Sequence, residues 1–266
     1  MKAFLASWLF CAAVPVSAAQ IGPQDLGNLR ADIVVLGEVH DNPTHHVNQA
    51  AALAALAPRA IVFEMLSPEQ AARVTPDLRA DAAGLGAVLD WNASGWPDFV
   101  MYAPLFTAAP QAAIYGAALP RDEVRRAMAD GAAAVFGPDA PAFGLDQALP
   151  TDEQAAQEAE QMAAHCDALP ADMLPGMVAA QRLRDAAFAR TAIQALEQTG
   201  GPVAVITGSG HARTDRGVPA MIARAAPQVS VLSLGQLEAP ADGPQPFDLW
   251  IVTEPTPRED PCAALR

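Results

Sequence analysis

Short apolar runs, separated by helix-length segments, leave this chain few ways to fold. Residues 31–37 read ADIVVLG, 60–66 AIVFEML, 112–118 AAIYGAA and 202–207 PVAVIT, and 229–234 and 247–252 continue the series. Unbroken apolar runs of this length suit strands covered on both faces. Helix signals lie between them. Asn42-Pro43 opens a helix to about residue 56, Ser67-Pro68-Glu69-Gln70 starts another, and helices are expected over 121–131 and near 219–226. The alternation predicts an α/β fold: a mostly parallel central sheet with helices on both faces. Between Gln147 and Gly200 the strand signal stops. Thr151-Asp152-Glu153-Gln154 has the form of a capping box opening a helix to about His165, and Pro175 starts a helix to about Gln198. The expectation is one α/β domain over 20–266, with an α-helical insertion at about 147–200 over one sheet edge.

The charged residues narrow the chemistry. Fifteen of the sixteen basic residues are arginine, and the one lysine is Lys2. Residues 1–19, MKAFLASWLFCAAVPVSAA, have the positive start, short apolar run and small-x-small ending of a secretory signal peptide. The run falls short of the roughly 20 residues that a membrane span needs. Phe10 before Cys11 does not fit a lipobox. Without this leader the chain has no lysine, which excludes Schiff-base lysines, pyridoxal enzymes and P-loop nucleotide binding. Fifteen Arg against thirty acidic residues leave a net −15, a poor match to nucleic acid or an anionic membrane surface. The chain is 52% hydrophobic, so it has the material for a core. No later apolar stretch is long enough to span, so a periplasmic or secreted protein is expected. Export would leave Cys166 and Cys262 in an oxidising space, where only one intramolecular disulfide can form.

Ligands of open parallel sheets bind beyond the carboxyl ends of the strands. Here those ends are polar. The first leads into Gly37-Glu38-Val39-His40-Asp41-Asn42, the second carries Glu64, the third leads to Arg121, and the fourth ends Gly208-Ser209-Gly210-His211. Parallel strands bring these ends to one rim, so Glu38, His40, Glu64 and His211 can converge. Gly37, Gly208 and Gly210 allow tight turns or close backbone approach. Gly208-x-Gly210 lacks the third glycine of a dinucleotide fingerprint. His45 and His46 diverge by about 100° on a helix, so at least one is expected to be solvated. Tyr102 reads either as an iron phenolate donor or as a packing residue. On the long second helix of the insertion, Gln181 and Asp185 share a face, and Arg184 and Asp185 are expected to pair with helix neighbours.

Several motifs together resemble one family. GEVHDNPTHH (37–46) is similar to the opening motif of the ChaN-like haem-binding uptake proteins of the TIKI and erythromycin-esterase superfamily. FEML (63–66), GWPDFVMYAPLF (95–106), AQRLRDAAFA (180–189), SGHARTDRGVP (209–219) and EDPC (259–262) continue the likeness in order. The resemblance implies an α/β domain with a helical insertion and a role in haem binding for iron acquisition. Two departures stand out: the lipobox of many members is missing, and 116–120 lack the Asn that many carry just before the position of Arg121. In superfamily enzymes the positions matching Glu38, His40 and His211 serve metal binding or general-base work.

Two functions follow as expectations. The first is an exported haem-binding protein, with Tyr102 or His211 as iron donor and no free metal ion. Arg121 or Arg213 would hold the propionates, beside His40, Glu38 and Glu64. The second is a hydrolase using Glu38, His40, Glu64 and His211 with a divalent ion, or with His40 as a metal-free base. Haem or another small carboxylated ligand is the expected partner, and a homodimer is left open.

Overall fold

The computed structural model describes residues 18–260 and 262–263. The expected signal peptide, 1–19, lies outside the described residues except for Ala18 and Ala19. The strands are β1 (Ala19–Gln20), β2 (Ile33–Glu38), β3 (Ala60–Phe63), β4 (Ala113–Gly116), β5 (Val203–Gly208), β6 (Val231–Leu237) and β7 (Leu249–Val252). They form one sheet in the order β1-β7-β6-β2-β5-β3-β4. Every neighbouring pair is parallel. Each of the six expected strands is present within a few residues of its predicted ends. The added one, β1, is two residues long and pairs only with β7.

Side chains alternate across a strand, and the core follows that alternation. Ile33, Val35, Val62, Val203 and Val205 face one apolar cluster; Val34, Leu36, Ile61, Phe63 and Ile206 face the other. Both faces of β2 and β5 are therefore dry, which explains why these strands read as unbroken apolar runs.

Ten α-helices are described: α1 (Pro43–Leu56), α2 (Pro68–Ala72), α3 (Pro76–Arg79), α4 (Ala82–Val88), α5 (Phe99–Ala108), α6 (Arg121–Asp130), α7 (Ala132–Phe136), α8 (Thr151–Ala164), α9 (Leu174–Thr199) and α10 (Val218–Ala225). Asn42 caps α1 by accepting a bond from Thr44 N–H at 2.9 Å, and Pro43 occupies its first turn, where a missing N–H costs nothing. α1 and α5 pack together on the face that holds Trp91, Tyr102 and Phe106. Two expectations change. The Thr151 capping box does not form: Thr151 is already helical, Pro150 occupies the cap position, and the Gln154 amide instead donates along the helix to Glu158 at 2.7 Å. The long helix of the expected insertion does more than cover an edge. Ala186, Ala189, Ala192 and Ala195 of α9 are fully buried in the cluster that contains Val62 and Val205, so its second half lies on the sheet face. Small alanines let the helix come close to the strands. Cys166 and Cys262 form the expected disulfide, which ties the tail to the end of α8. No helix among the described residues is long and apolar enough to cross a membrane.

Candidate functional site

The three central neighbours β2, β5 and β3 end side by side. Glu38 is in register with Gly208, and Phe63 with Ile206, so Glu64 follows directly onto the same rim. From this placement two carboxylate–histidine pairs are built.

In the first pair, Nδ1 of His40 lies 2.8 Å from Oε1 of Glu38, and the Tyr102 hydroxyl donates to the same oxygen at 2.7 Å. Tyr102 and Glu38 are buried, whereas the His40 side chain keeps a third of its surface exposed. The His40 ring packs against Trp96 with centroids 4.9 Å apart. Its Nε2 reaches Gly208: a Cβ there would sit 2.9 Å from that nitrogen, so only glycine leaves room for the ring. Burial opposes the charged form of His40, but Glu38 and Glu64 outweigh it and raise the pKa. Burial and the charge of Glu38 push the Tyr102 phenol well above its usual range.

In the second pair, Nδ1 of His211 lies 2.6 Å from Oδ1 of Asp185, and its Nε2 faces Oε1 of Glu64 at 3.6 Å. The Gln181 amide stands 3.0 Å from the same Nδ1. Glu64 itself is held by the Thr207 hydroxyl at 2.6 Å and Gly208 N–H at 2.8 Å. Burial would lift its pKa, but His211, His40 and these donors hold it below the usual value. For His211 burial again opposes charge, and Glu64 and Asp185 reverse the effect, so its pKa rises. A carboxylate on Nδ1 fixes the tautomer of each ring and leaves Nε2 directed at the shared space.

The two neighbouring histidines on α1 are both buried, and the expectation that one is solvated does not hold. His45 Nδ1 accepts from Val39 N–H at 2.8 Å, and its Nε2 lies 2.8 Å from the Thr253 hydroxyl. His46 Nε2 donates to the His40 carbonyl at 2.8 Å, and its Nδ1 faces Oε2 of Glu38 at 3.4 Å. Adjacent positions do diverge on the helix, but each finds its own polar partner. The tail straps this loop. Asn42 donates to the Glu254 carbonyl, and Arg258 makes paired bonds to both Asp41 and Glu238. Beyond Arg258 the tail reaches Cys262 and its disulfide.

A cavity of about 590 Å³ opens from the second pair, walled by Trp96, Leu119, Arg121, Arg184, Phe188 and His211. A smaller one, about 280 Å³, adjoins it through His211 and is bounded by His40, Gln181 and Gly208. Both are in or near the range of small-molecule sites, roughly 300–1,000 Å³. The structure thus brings Glu38, His40, Glu64, His211 and Tyr102 together and puts Arg121 on the cavity wall. Arg213 is elsewhere: it forms a two-point pair with Asp215 at 2.9 and 2.5 Å and lines neither cavity. Reading the sequence for site residues misses Trp96, Arg184 and the role of Asp185. The polar face shared by Gln181 and Asp185 is the signal that points to the last of these. Among the described residues no group of three or more His, Cys, Asp or Glu is arranged to hold a metal ion.

These features define a class first: parallel α/β proteins with a cavity at the carboxyl ends of the central strands. The family follows from comparison. Residues 28–222 match the family described as haem-binding uptake, Tiki superfamily, ChaN, and the chain belongs to it. A solved structure described as cofacial heme binding to ChaN of Campylobacter jejuni is 19% identical, with a TM-score of 0.60 over 82% of this chain and 86% of that one. At that identity the likeness speaks for the fold. The type III effector HopBA1 is 11% identical over 88% of this chain and 92% of its own, with a TM-score of 0.46, too low to carry an argument. No curated protein matches the chain.

Proposed function

We propose that this chain binds haem in the cavity at the strand ends and serves haem-iron uptake outside the cytoplasm. The observation that carries the reading is the cavity itself. It has apolar walls in Trp96, Leu119 and Phe188 and an imidazole in its lining, and it sits in a member of a haem-binding uptake family. A tetrapyrrole needs apolar surface for its faces and a donor for its iron. The Nε2 atoms of His211 and His40 suit the donor role, because each ring has its Nδ1 committed to a carboxylate, which strengthens the free nitrogen. Tyr102 suits it less. Its hydroxyl is buried and donated to Glu38, so forming a phenolate there would break the polar core. The Campylobacter relative, described with cofacial heme, supports the same ligand class. The leader pattern and the disulfide support a periplasmic or secreted location.

Titration with hemin tests the proposal. The expected result is a Soret shift at equimolar hemin in the wild type, an altered spectrum in His211→Ala or His40→Ala, and a retained spectrum in Tyr102→Phe. No shift in the wild type would sink the reading. An altered spectrum in Tyr102→Phe alone would return the donor role to the phenol.

A further inference from the structure

We infer that Arg184, with Arg121 at the rim, is the anchor for the acid groups of the ligand, so that the cavity selects planar ligands carrying free carboxylates. The inference rests on the haem reading above and adds to it the feature by which the ligand is chosen.

Acidic residues outnumber basic ones thirty to sixteen in this chain, and its arginines are mostly engaged. Arg258 holds Asp41 and Glu238, Arg213 holds Asp215, and Arg216 holds Glu160. Arg79 and Arg182 donate to backbone carbonyls, and the Arg190 guanidinium lies 4.2 Å over the Phe136 ring. Arg184 differs. It makes no ion pair or hydrogen bond with any described residue, although it is half-buried and forms part of the cavity wall. The expected pairing with its helix neighbours is absent, because Asp185 points to His211 instead. Arg121, the first residue of α6, makes one long contact, 3.4 Å to the Ser94 carbonyl. α6 and α9 pack on each other, and both arginines line the same cavity.

Partial burial costs a guanidinium some of its hydration, and the loss is recovered only by a partner. No carboxylate among the described residues supplies one here. Among the described residues Glu64 is the only acidic side chain lining this cavity; its Oε2 accepts from Thr207 and Gly208, and its Oε1 faces His211, so neither oxygen is paired with an arginine. The chemistry that completes the cavity is therefore an external anion. The fork of a guanidinium fits a carboxylate at two points, and two such forks fit a ligand with two acid groups near each other.

The test compares hemin with hemin dimethyl ester, which keeps the ring and the iron but removes both charges. Both are titrated in the same detergent-containing buffer into the wild type, Arg184→Gln, Arg121→Gln and the double variant, with thermal melts to check folding. The wild type is expected to bind hemin at least about tenfold more tightly than the diester, the scale of one charge-assisted bond. The double variant is expected to lose that preference by weakening hemin alone. Equal wild-type affinity for acid and ester would overturn the anchor and leave the haem reading standing, as would a preference that survives the double substitution. Failure of the wild type to bind either compound would remove the haem reading and the anchor with it. Arg184 has no partner among the described residues to lose, so its replacement should leave the melting temperature unchanged.

Discussion

His45 shows how one buried ring couples the rim to acidity. Burial holds its pKa down at about 4, against an ordinary 6.5. Both ring nitrogens are already in use, Nδ1 as acceptor from Val39 and Nε2 toward Thr253. Below pH 6.5 the unfolded chain takes up a proton that the folded chain refuses until about pH 4. The contribution of this ring is thus intact above 6.5 and is lost as the pH falls through that window. His40 and His211 act in the other direction. Their folded pKa values are raised, so they favour folding below 6.5 and lose that contribution as the pH rises through the folded values. Stability should therefore peak near the ordinary histidine pKa. Denaturation midpoints measured from pH 4.5 to 8 should trace that peak. His45→Asn, whose amide oxygen can still accept from Val39, should flatten the acid limb and leave the alkaline one. An unchanged acid limb would assign it to carboxylates instead.

Among the elements, those whose environment dictates composition are legible in the sequence. β2, β3 and β5 must be apolar on both faces, so ADIVVLG, AIVFEML and PVAVIT announce themselves. The candidate site residues at or just past the ends of such strands, Glu38, His40, Glu64 and His211, are legible because those strands are. Residues on helices are harder to read. Arg184 and Asp185 look like any solvated pair until α9 is laid on the sheet, and only then does one meet His211 and the other the cavity. Nothing in the order of residues says that Gln154 will pair with Glu158 along α8 rather than cap it. The tail is the least regular element, yet it is held at both ends, by Arg258 on Asp41 and Glu238 and by Cys262 on Cys166. Removing the second hold, by reduction or by Cys262→Ser, should cost about 2–4 kcal/mol, a typical disulfide contribution. A melt with and without reductant measures it. Arg258→Ala should add to the loss, since the two anchors restrain one segment.

For the molecule as a whole, thirty acidic against sixteen basic residues mean that the folded chain repels itself. Raising salt from about 10 to 150 mM shortens the screening length from roughly 30 to 8 Å, so the melting temperature should climb over that range and then level. A flat response would show that local pairs such as Arg258 with Glu238 already neutralise the field. The strand order has a consequence of another kind, in time. β2 lies between β5 and β6, and Ile33 pairs with Val203 on one side and Val231 on the other. Its neighbours in space are thus the last large strands to be made. Until the chain has grown past them, the central strand has no partner on either side, and the two imidazoles of the rim have not met. Long-range parallel pairing of this sort is slow to form. For a chain exported as proposed above, that delay is useful: the early part remains threadable while the later part is still being synthesised. The rim is therefore complete only once the chain has been made past β6, and no earlier fragment of it can hold a ligand there.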